Sequence, residues 1–140
     1  MITLTAIDHV VFRVRDMAAM TAFYETVLGA RVERRVEDLG LVQLRAGSAL
    51  IDFVSCEGEL GREGGAPPDS EGHNVAHVCF RVSPWDEVAI LAHLAEHGHG
   101  GLEVARRYGA EGFGPSIYLT DPDGNGIELK GPADGAADYG

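Results

Sequence analysis

The sequence predicts an α+β domain built from two copies of one βαβββ module, and three observations carry that reading. The hexamer His9-Val10-Val11-Phe12-Arg13-Val14 returns as His77-Val78-Cys79-Phe80-Arg81-Val82, with five of six residues identical at an offset of 68 in a chain of 140. Each hexamer is followed by a helical stretch that ends near glycine and then by strand-like segments. Each half then closes on a similar strand, Leu50–Val54 in the first and Gly126–Lys130 in the second. One domain over residues 1–140 is expected, with modules at 4–55 and 74–130, a linker at 56–73 and a mobile tail at 131–140.

In the first module, Ile7 to Val14 reads as a strand rich in β-branched residues. Asp16 is the N-cap of a helix from Met17 to about Leu28, with Met20, Phe23, Tyr24 and Val27 on its apolar face and Gly29 at its C-cap. Strands fit Arg31–Glu37, Leu41–Arg45 and Ala49–Val54, turned by Gly40 and Gly47. The linker holds four glycines between Gly58 and Gly65 and then Pro67-Pro68, so it either joins the modules or covers a site.

In the second module, Val75–Val82 is a strand, and Ser83-Pro84 opens a helix with Ser83 as cap and Pro84 at its first position. Val88, Leu91, Leu94 and Ala95 form its buried stripe, and Gly98 ends it. Leu102–Arg107 and Ser116–Thr120 are strands, and Asp121-Pro122-Asp123-Gly124 is a turn.

Composition limits the partners. The chain has 22 acidic and 11 basic residues, a formal charge of -11, and Lys130 as its one lysine. Without a basic stripe, neither nucleic acid nor an anionic membrane is an expected partner, while charge alone does not exclude an anionic small molecule, because a few arginines can line one pocket. No apolar run approaches the roughly 20 residues of a membrane helix, and the opening Met1–Thr5 lacks the pattern of a signal peptide. Cys56 and Cys79 are too few for a disulfide framework, so a reducing cytoplasm is expected.

Period-2 alternation assigns faces to the strands. Val10, Phe12 and Val14 share one face, as do Val78, Phe80 and Val82, and the helices are expected to cover them. His9, His77, Arg13 and Arg81 then point away from the helices, toward whatever the two curved, mixed sheets enclose. Asp52 stands between Ile51 and Phe53, and Glu128 between Ile127 and Leu129. Each module therefore offers one histidine and one carboxylate. Brought together in a cleft by pseudo-symmetry, His9, Asp52, His77 and Glu128 form an N2O2 set suited to a divalent ion such as Ni, Zn, Fe, Mn or Co. Asp52, one methylene shorter than glutamate, is either a ligand or a residue hydrogen-bonded to one.

Other groupings carry less. His93 and His97 lie four apart with His99 beyond, and a solvated helix end explains them better than a metal site. His73 and His77 are also four apart, but in loop and strand. Cys56 lies in no nucleophile motif. The segment Arg106–Pro115 either folds over the cleft, with Arg106 and Arg107 holding a carboxylate or phosphonate, or forms a solvated hairpin, and the hairpin ranks slightly higher.

The pieces Asp8–Val14, Phe23–Gly29, the His77 strand and Tyr118–Leu129 together resemble the vicinal oxygen chelate superfamily of glyoxalases, bleomycin resistance proteins, thiol transferases and extradiol dioxygenases. The resemblance implies paired βαβββ modules assembled as homodimers, with the cleft in many members completed across the subunit interface. It puts His9, His77 and Glu128 on shared metal-ligand positions, and Asp52 where glyoxalase I has a glutamate ligand. It further implies a metal-dependent isomerase or lyase acting on vicinal oxygens through an enediolate, with Glu128, or else Asp52, as the catalytic base. A thiol transferase, an Fe(II) dioxygenase and a non-catalytic drug-binding protein are the alternatives within the same scaffold. Arg13, Arg81 and Arg107 are the expected substrate-binding cations. The acidic balance and single lysine give no obvious clamp for glutathione's carboxylates.

Overall fold

The computed structural model describes residues 1–135, which divide into two compact units. Unit 1 comprises residues 1–74 and 122–124, and unit 2 the rest. The same architecture recurs in both.

Unit 1 contains β1 (His9–Val14), α1 (Met17–Thr26), β2 (Arg31–Val36), a short 3-10 turn (Glu37–Leu39), β3 (Leu41–Ala46), β4 (Ala49–Ser55) and α2 (Glu59–Arg62). Its sheet runs β1-β4-β3-β2, with β1 parallel to β4 and the other pairs antiparallel. Asp16 caps α1 as expected, its Oδ1 accepting the Ala19 N–H at 3.0 Å. Gly29 takes φ +74°, and the Ala30 N–H turns back onto the Tyr24 carbonyl at 2.9 Å. The apolar face of α1 packs Met20, Phe23 and Tyr24 onto the sheet, where the Tyr24 ring meets Phe53 edge-on at 5.0 Å. Phe12, Val14, Val42, Leu44, Ile51 and Phe53 complete this core.

The linker is not structureless, because it contains α2. This turn seats against the end of β4 at Gly61, where a Cβ would fall 1.9 Å from the Ser55 carbonyl oxygen, so only glycine allows the approach.

Unit 2 contains β5 (His77–Arg81), α3 (Glu87–Glu96), β6 (Val104–Gly109), β7 (Gly112–Thr120) and β8 (Gly126–Lys130), ordered β5-β8-β7-β6 with β5 parallel to β8. Ser83-Pro84 does not start the helix. Asp86 does, accepting the Ala89 N–H at 3.1 Å, the same geometry as Asp16. Just ahead of Asp86, the Trp85 ring lies against Gly131, where a Cβ would come within 2.8 Å of it. The buried stripe is also rotated from the expected one. Leu94 is buried, Ile90 and Leu91 are half-buried, and Val88 and Ala95, expected inside, are exposed.

The segment Arg106–Pro115 is a hairpin rather than a flap. Arg106 pairs with Pro115, Arg107 with Gly114, Tyr108 with Phe113 and Gly109 with Gly112. Its glycines resemble a loop in sequence, but here they make room. Lys130 lies across Gly109, where a Cβ would come 2.6 Å from its Cε, and donates Nζ to the carbonyls of Arg107 and Gly114. The expected mobile tail starts as an anchored segment. Gly131 N–H donates to Pro115, Asp134 N–H donates to Phe113, and the Asp134 carboxylate pairs with Arg106. Residues 136–140 lie outside the described residues. Among the described residues no helix is long and apolar enough to cross a membrane.

The rotated stripe makes two substitutions on α3 unequal. Leu94→Ala should cost about 2–5 kcal/mol in denaturant unfolding, whereas Val88→Ala should stay within about 0.5 kcal/mol. Equal losses would return Val88 to the core.

Candidate metal and catalytic residues

The register of each sheet decides which side chains share a face. In unit 1, Val11 pairs with Asp52 and Asp52 with Gln43, so His9, Asp52 and Gln43 project opposite to the Phe12, Phe53 and Val42 core. In unit 2, Cys79 pairs with Glu128 and Glu128 with Tyr118, so His77, Cys79, Glu128 and Tyr118 share a face opposite Ile127 and Leu129. The two carboxylates thus occupy equivalent places, each beside the histidine-bearing strand of its own module.

Glu128 is nearly buried, and its Oε2 lies 3.3 Å from His77 Nε2. Burial alone would raise this carboxyl. The donors facing it, Ser116, Tyr118 and Cys79, together with the His77 ring, outweigh burial and hold it below the ordinary glutamate value. Even so, Oε1 is buried without a well-formed hydrogen bond, as is Ser116 Oγ. Tyr118 lies edge-on to the His77 ring at 6.0 Å, and its hydroxyl is pushed up by burial and by Glu128, against the opposing Arg107. Burial of the thiol and then the neighbouring carboxylate push Cys79 up to about 11, although the residue keeps an open flank to solvent. That is the opposite of an activated nucleophile.

In unit 1, Asp52 is 4% exposed. Its Oδ2 accepts Gln43 Nε2 at 3.0 Å, and its Oδ1 is buried with no hydrogen-bond partner. His9 is half-exposed and uses Nδ1 on Asp8 Oδ1 at 2.6 Å, which leaves Nε2 as the nitrogen for a further group. The Asp8 contact raises the His9 pKa, burial opposes it, and the Asp52 charge adds to the rise.

The arginines are placed differently from one another. Arg13 Nε donates to Gly61 O at 2.8 Å, and Nη2 to Gly65 O and Ala66 O at 2.6 and 3.2 Å. Its backbone is clamped by Asn74, which accepts the Arg13 N–H and donates to the Arg13 carbonyl. Arg13 therefore holds the segment after β4. Arg81 pairs with Glu111 at the hairpin tip. Arg107 remains on the Glu128 face, its guanidinium carbon 6.0 Å from the Tyr118 ring centre.

These donors fit a divalent cation in kind. Imidazole nitrogens and buried carboxylates with one unpaired oxygen are the borderline-to-hard set that first-row metals take, and an orphaned buried carboxylate oxygen is costly without a partner. The structure brings His77 and Glu128 into contact and sets His9 on the face that carries Asp52. Among the described residues it gathers no group of three or more His, Cys, Asp or Glu side chains at one point. The His93 and His97 rings lie 4.5 Å apart and tilted by 45°. A shallow recess lined by Arg15, Asp16, Glu57, Pro67, Pro122 and Asp123 contains none of the four ligand candidates.

Gln43, Tyr118, Ser116 and Cys79 are absent from the expected site. For Gln43 the signal was available. It is a polar residue inside the apolar run Leu41-Val42-Gln43-Leu44, the same anomaly that marks Asp52.

Comparison with known proteins agrees with this architecture. The virulence protein STM3117 of Salmonella typhimurium is 32% identical over 127 residues, covering 89% of this chain and 82% of that protein. Its crystal structure superposes with a TM-score of 0.75 at 28% identity, over 94% of this chain and all of that one. The metallothiol transferase FosB of Lysinibacillus sphaericus is 28% identical over 133 residues, covering 91% of this chain and 82% of the relative. A catechol-2,3-dioxygenase of Bacillus subtilis is 26% identical over 126 residues, 89% of this chain but 41% of that protein. The model of the Glyoxalase/Bleomycin resistance protein/Dioxygenase superfamily matches residues 6–129, nearly the whole chain, and to that superfamily this chain belongs.

Proposed function

We propose that the chain is a divalent-metal-dependent isomerase or lyase of the glyoxalase I type, acting on a small substrate with vicinal oxygens. The ligands in this reading are His9, His77, Glu128 and Asp52, and the working assembly is a homodimer. One observation supports it above the others: each sheet buries a single carboxylate, at equivalent positions, with one oxygen left unpaired and a histidine on the same face. A bound divalent cation supplies Lewis acidity to the adjacent oxygens of the substrate.

The chain's own residues account for the proton chemistry. Glu128 is ionised, the form a base needs, and its donors stabilise that carboxylate. Its longer side chain gives more reach than Asp52, which is tied to Gln43. A proton taken by the Glu128 carboxylate from one carbon and returned to its neighbour, with the hydroxyl proton passing between the two vicinal oxygens, completes an isomerisation with no net loss. Tyr118 and Arg107 beside Glu128 would orient an anionic or hydroxyl oxygen of the substrate. Cys79, with its thiol held protonated, serves as a hydrogen-bond donor rather than a nucleophile.

The FosB relative favours a second reading, thiol transfer, in which the same ligands serve a different substrate. Hemithioacetal isomerisation, followed by absorbance against several thiols, separates the two. A thioester product isomeric with the hemithioacetal supports the first reading, and a thioether formed by adding the thiol to an electrophilic carbon supports the second. Oxygen uptake with catechols would instead move the protein to the dioxygenases, and ligand binding that survives chelation without turnover would move it to the drug-binding proteins.

Two substitutions test the assignments. His77→Ala should abolish most metal binding while leaving the thermal midpoint near that of the parent, and equal metal content would remove His77 from the set. Glu128→Gln should lower kcat by about 100-fold or more, the scale of a lost general base. Chelation of the parent should abolish the same activity, and re-addition of the cation should restore it.

A further inference from the structure

The row of side chains beside Asp52 extends across three strands. Asp52 on β4 stands opposite Gln43 on β3, and Gln43 stands opposite Arg34 on β2. Arg34 Nη1 donates to Gln43 Oε1 at 3.0 Å, and Gln43 Nε2 donates to Asp52 Oδ2 at 3.0 Å. The order is dictated by chemistry. A guanidinium has only donors, so it can meet only the carbonyl end of the amide, and an ionised carboxylate has only acceptors, so it can meet only the NH2 end. Arg34 thereby fixes which way the Gln43 amide faces, and Gln43 fixes which oxygen of Asp52 is satisfied. The other oxygen, Oδ1, is left buried and unpaired.

A β-bulge sets up the row. Val32 pairs with Leu44, but the next residue opposite Gln43 is Arg34, not Glu33. A regular ladder would place the Glu33 carboxylate against the Gln43 amide and turn its NH2 end away from Asp52. The bulge moves Glu33 aside, where it pairs with Arg45 at 2.9 Å, and puts a donor in its place.

We propose that Gln43 and Arg34 are positioning residues that hold Asp52 with Oδ1 presented to a divalent cation, so that the bulge in β2 helps set the cation affinity of this chain. The proposal rests on the metal-dependent reading above. Neither residue touches the cation itself, and both act through Asp52.

The test is a titration of the metal-free protein with Co2+ alone, read from the visible absorption of the bound ion and accompanied by thermal melts. Gln43→Leu should weaken Co2+ binding by about 10-fold or more, in the range for a group that orients a ligand. Arg34→Met should give a smaller loss in the same direction. The deciding step places Gln43→Leu in an Asp52→Asn background. If Gln43 acts through Asp52, the double variant binds no more weakly than Asp52→Asn alone. Unchanged affinity in Gln43→Leu, or an equal further loss in the Asp52→Asn background, would overturn the proposal. His77→Ala is the control for the reading beneath it. If His77→Ala keeps parental affinity, the metal reading itself fails and the proposal with it. If His77→Ala loses Co2+ while Gln43→Leu does not, only the positioning role fails. Arg34→Met sits on the exposed side of the row, so its result stands even where Gln43→Leu lowers the melting temperature.

Discussion

The parallel pairing of the first and last strands of each module is the constraint on which the rest depends. Parallel neighbours cannot be joined by a tight turn, so the chain must leave the sheet and return, here through a helix and two antiparallel strands. The strand that opens each module is thereby laid directly against the strand that closes it. That contact sets Val11 opposite Asp52 and Cys79 opposite Glu128, with a histidine two residues upstream on the same face in each case. Much else serves this pairing. Asp121 accepts both the backbone and side-chain N–H groups of Asn125, at 3.0 and 2.9 Å, and so fixes the turn that delivers β8 in register. Lys130 and the side-chain-free positions at Gly109 and Gly114 close the hairpin beside it.

Two carboxylates buried in apolar strands are expensive, since a charge removed from water must find partners in the protein. Both are only partly compensated. Asp52 has Gln43 on one oxygen, and Glu128 has a ring of donors and His77 near the other. In each case one oxygen is left over. A fold optimised for stability alone would place apolar residues at these positions, and this deficit is what motivates the proposed cation. The same logic separates the arginines. Arg13 spends its donors on three carbonyls and belongs to the scaffold, whereas Arg107 keeps its guanidinium on the Glu128 face.

The module order, the Asp16 cap, the carboxylate faces and the turns at Gly29, Gly40, Gly47 and Gly98 were legible in the sequence because each rests on local periodicity or on a residue with one backbone use. The features that were not legible depend on distant contacts. Ser83-Pro84 has the form of a helix start, but the helix begins at Asp86, after Trp85 has packed on Gly131, and Val88 faces outward. Gly109 and Gly114 look like loop residues until Lys130 and Pro132 are laid across them. Period-2 alternation put Arg13 on the right face, but it carries no information about carbonyls 48 to 53 residues away. The bulge that exchanges Glu33 for Arg34 breaks the alternation on which strand reading relies.

The account stands on a divalent cation bound by these histidines and carboxylates, and elemental analysis of freshly purified, untagged protein tests that most directly. The account predicts about one equivalent of Ni, Zn, Fe, Mn or Co per chain, the metals this donor set favours. The element found would also order the chemistry, iron pointing to oxygenation and nickel or zinc to isomerisation. Protein that carries no such metal, and takes up none on reconstitution, would contradict the account and leave a metal-free binding protein in its place.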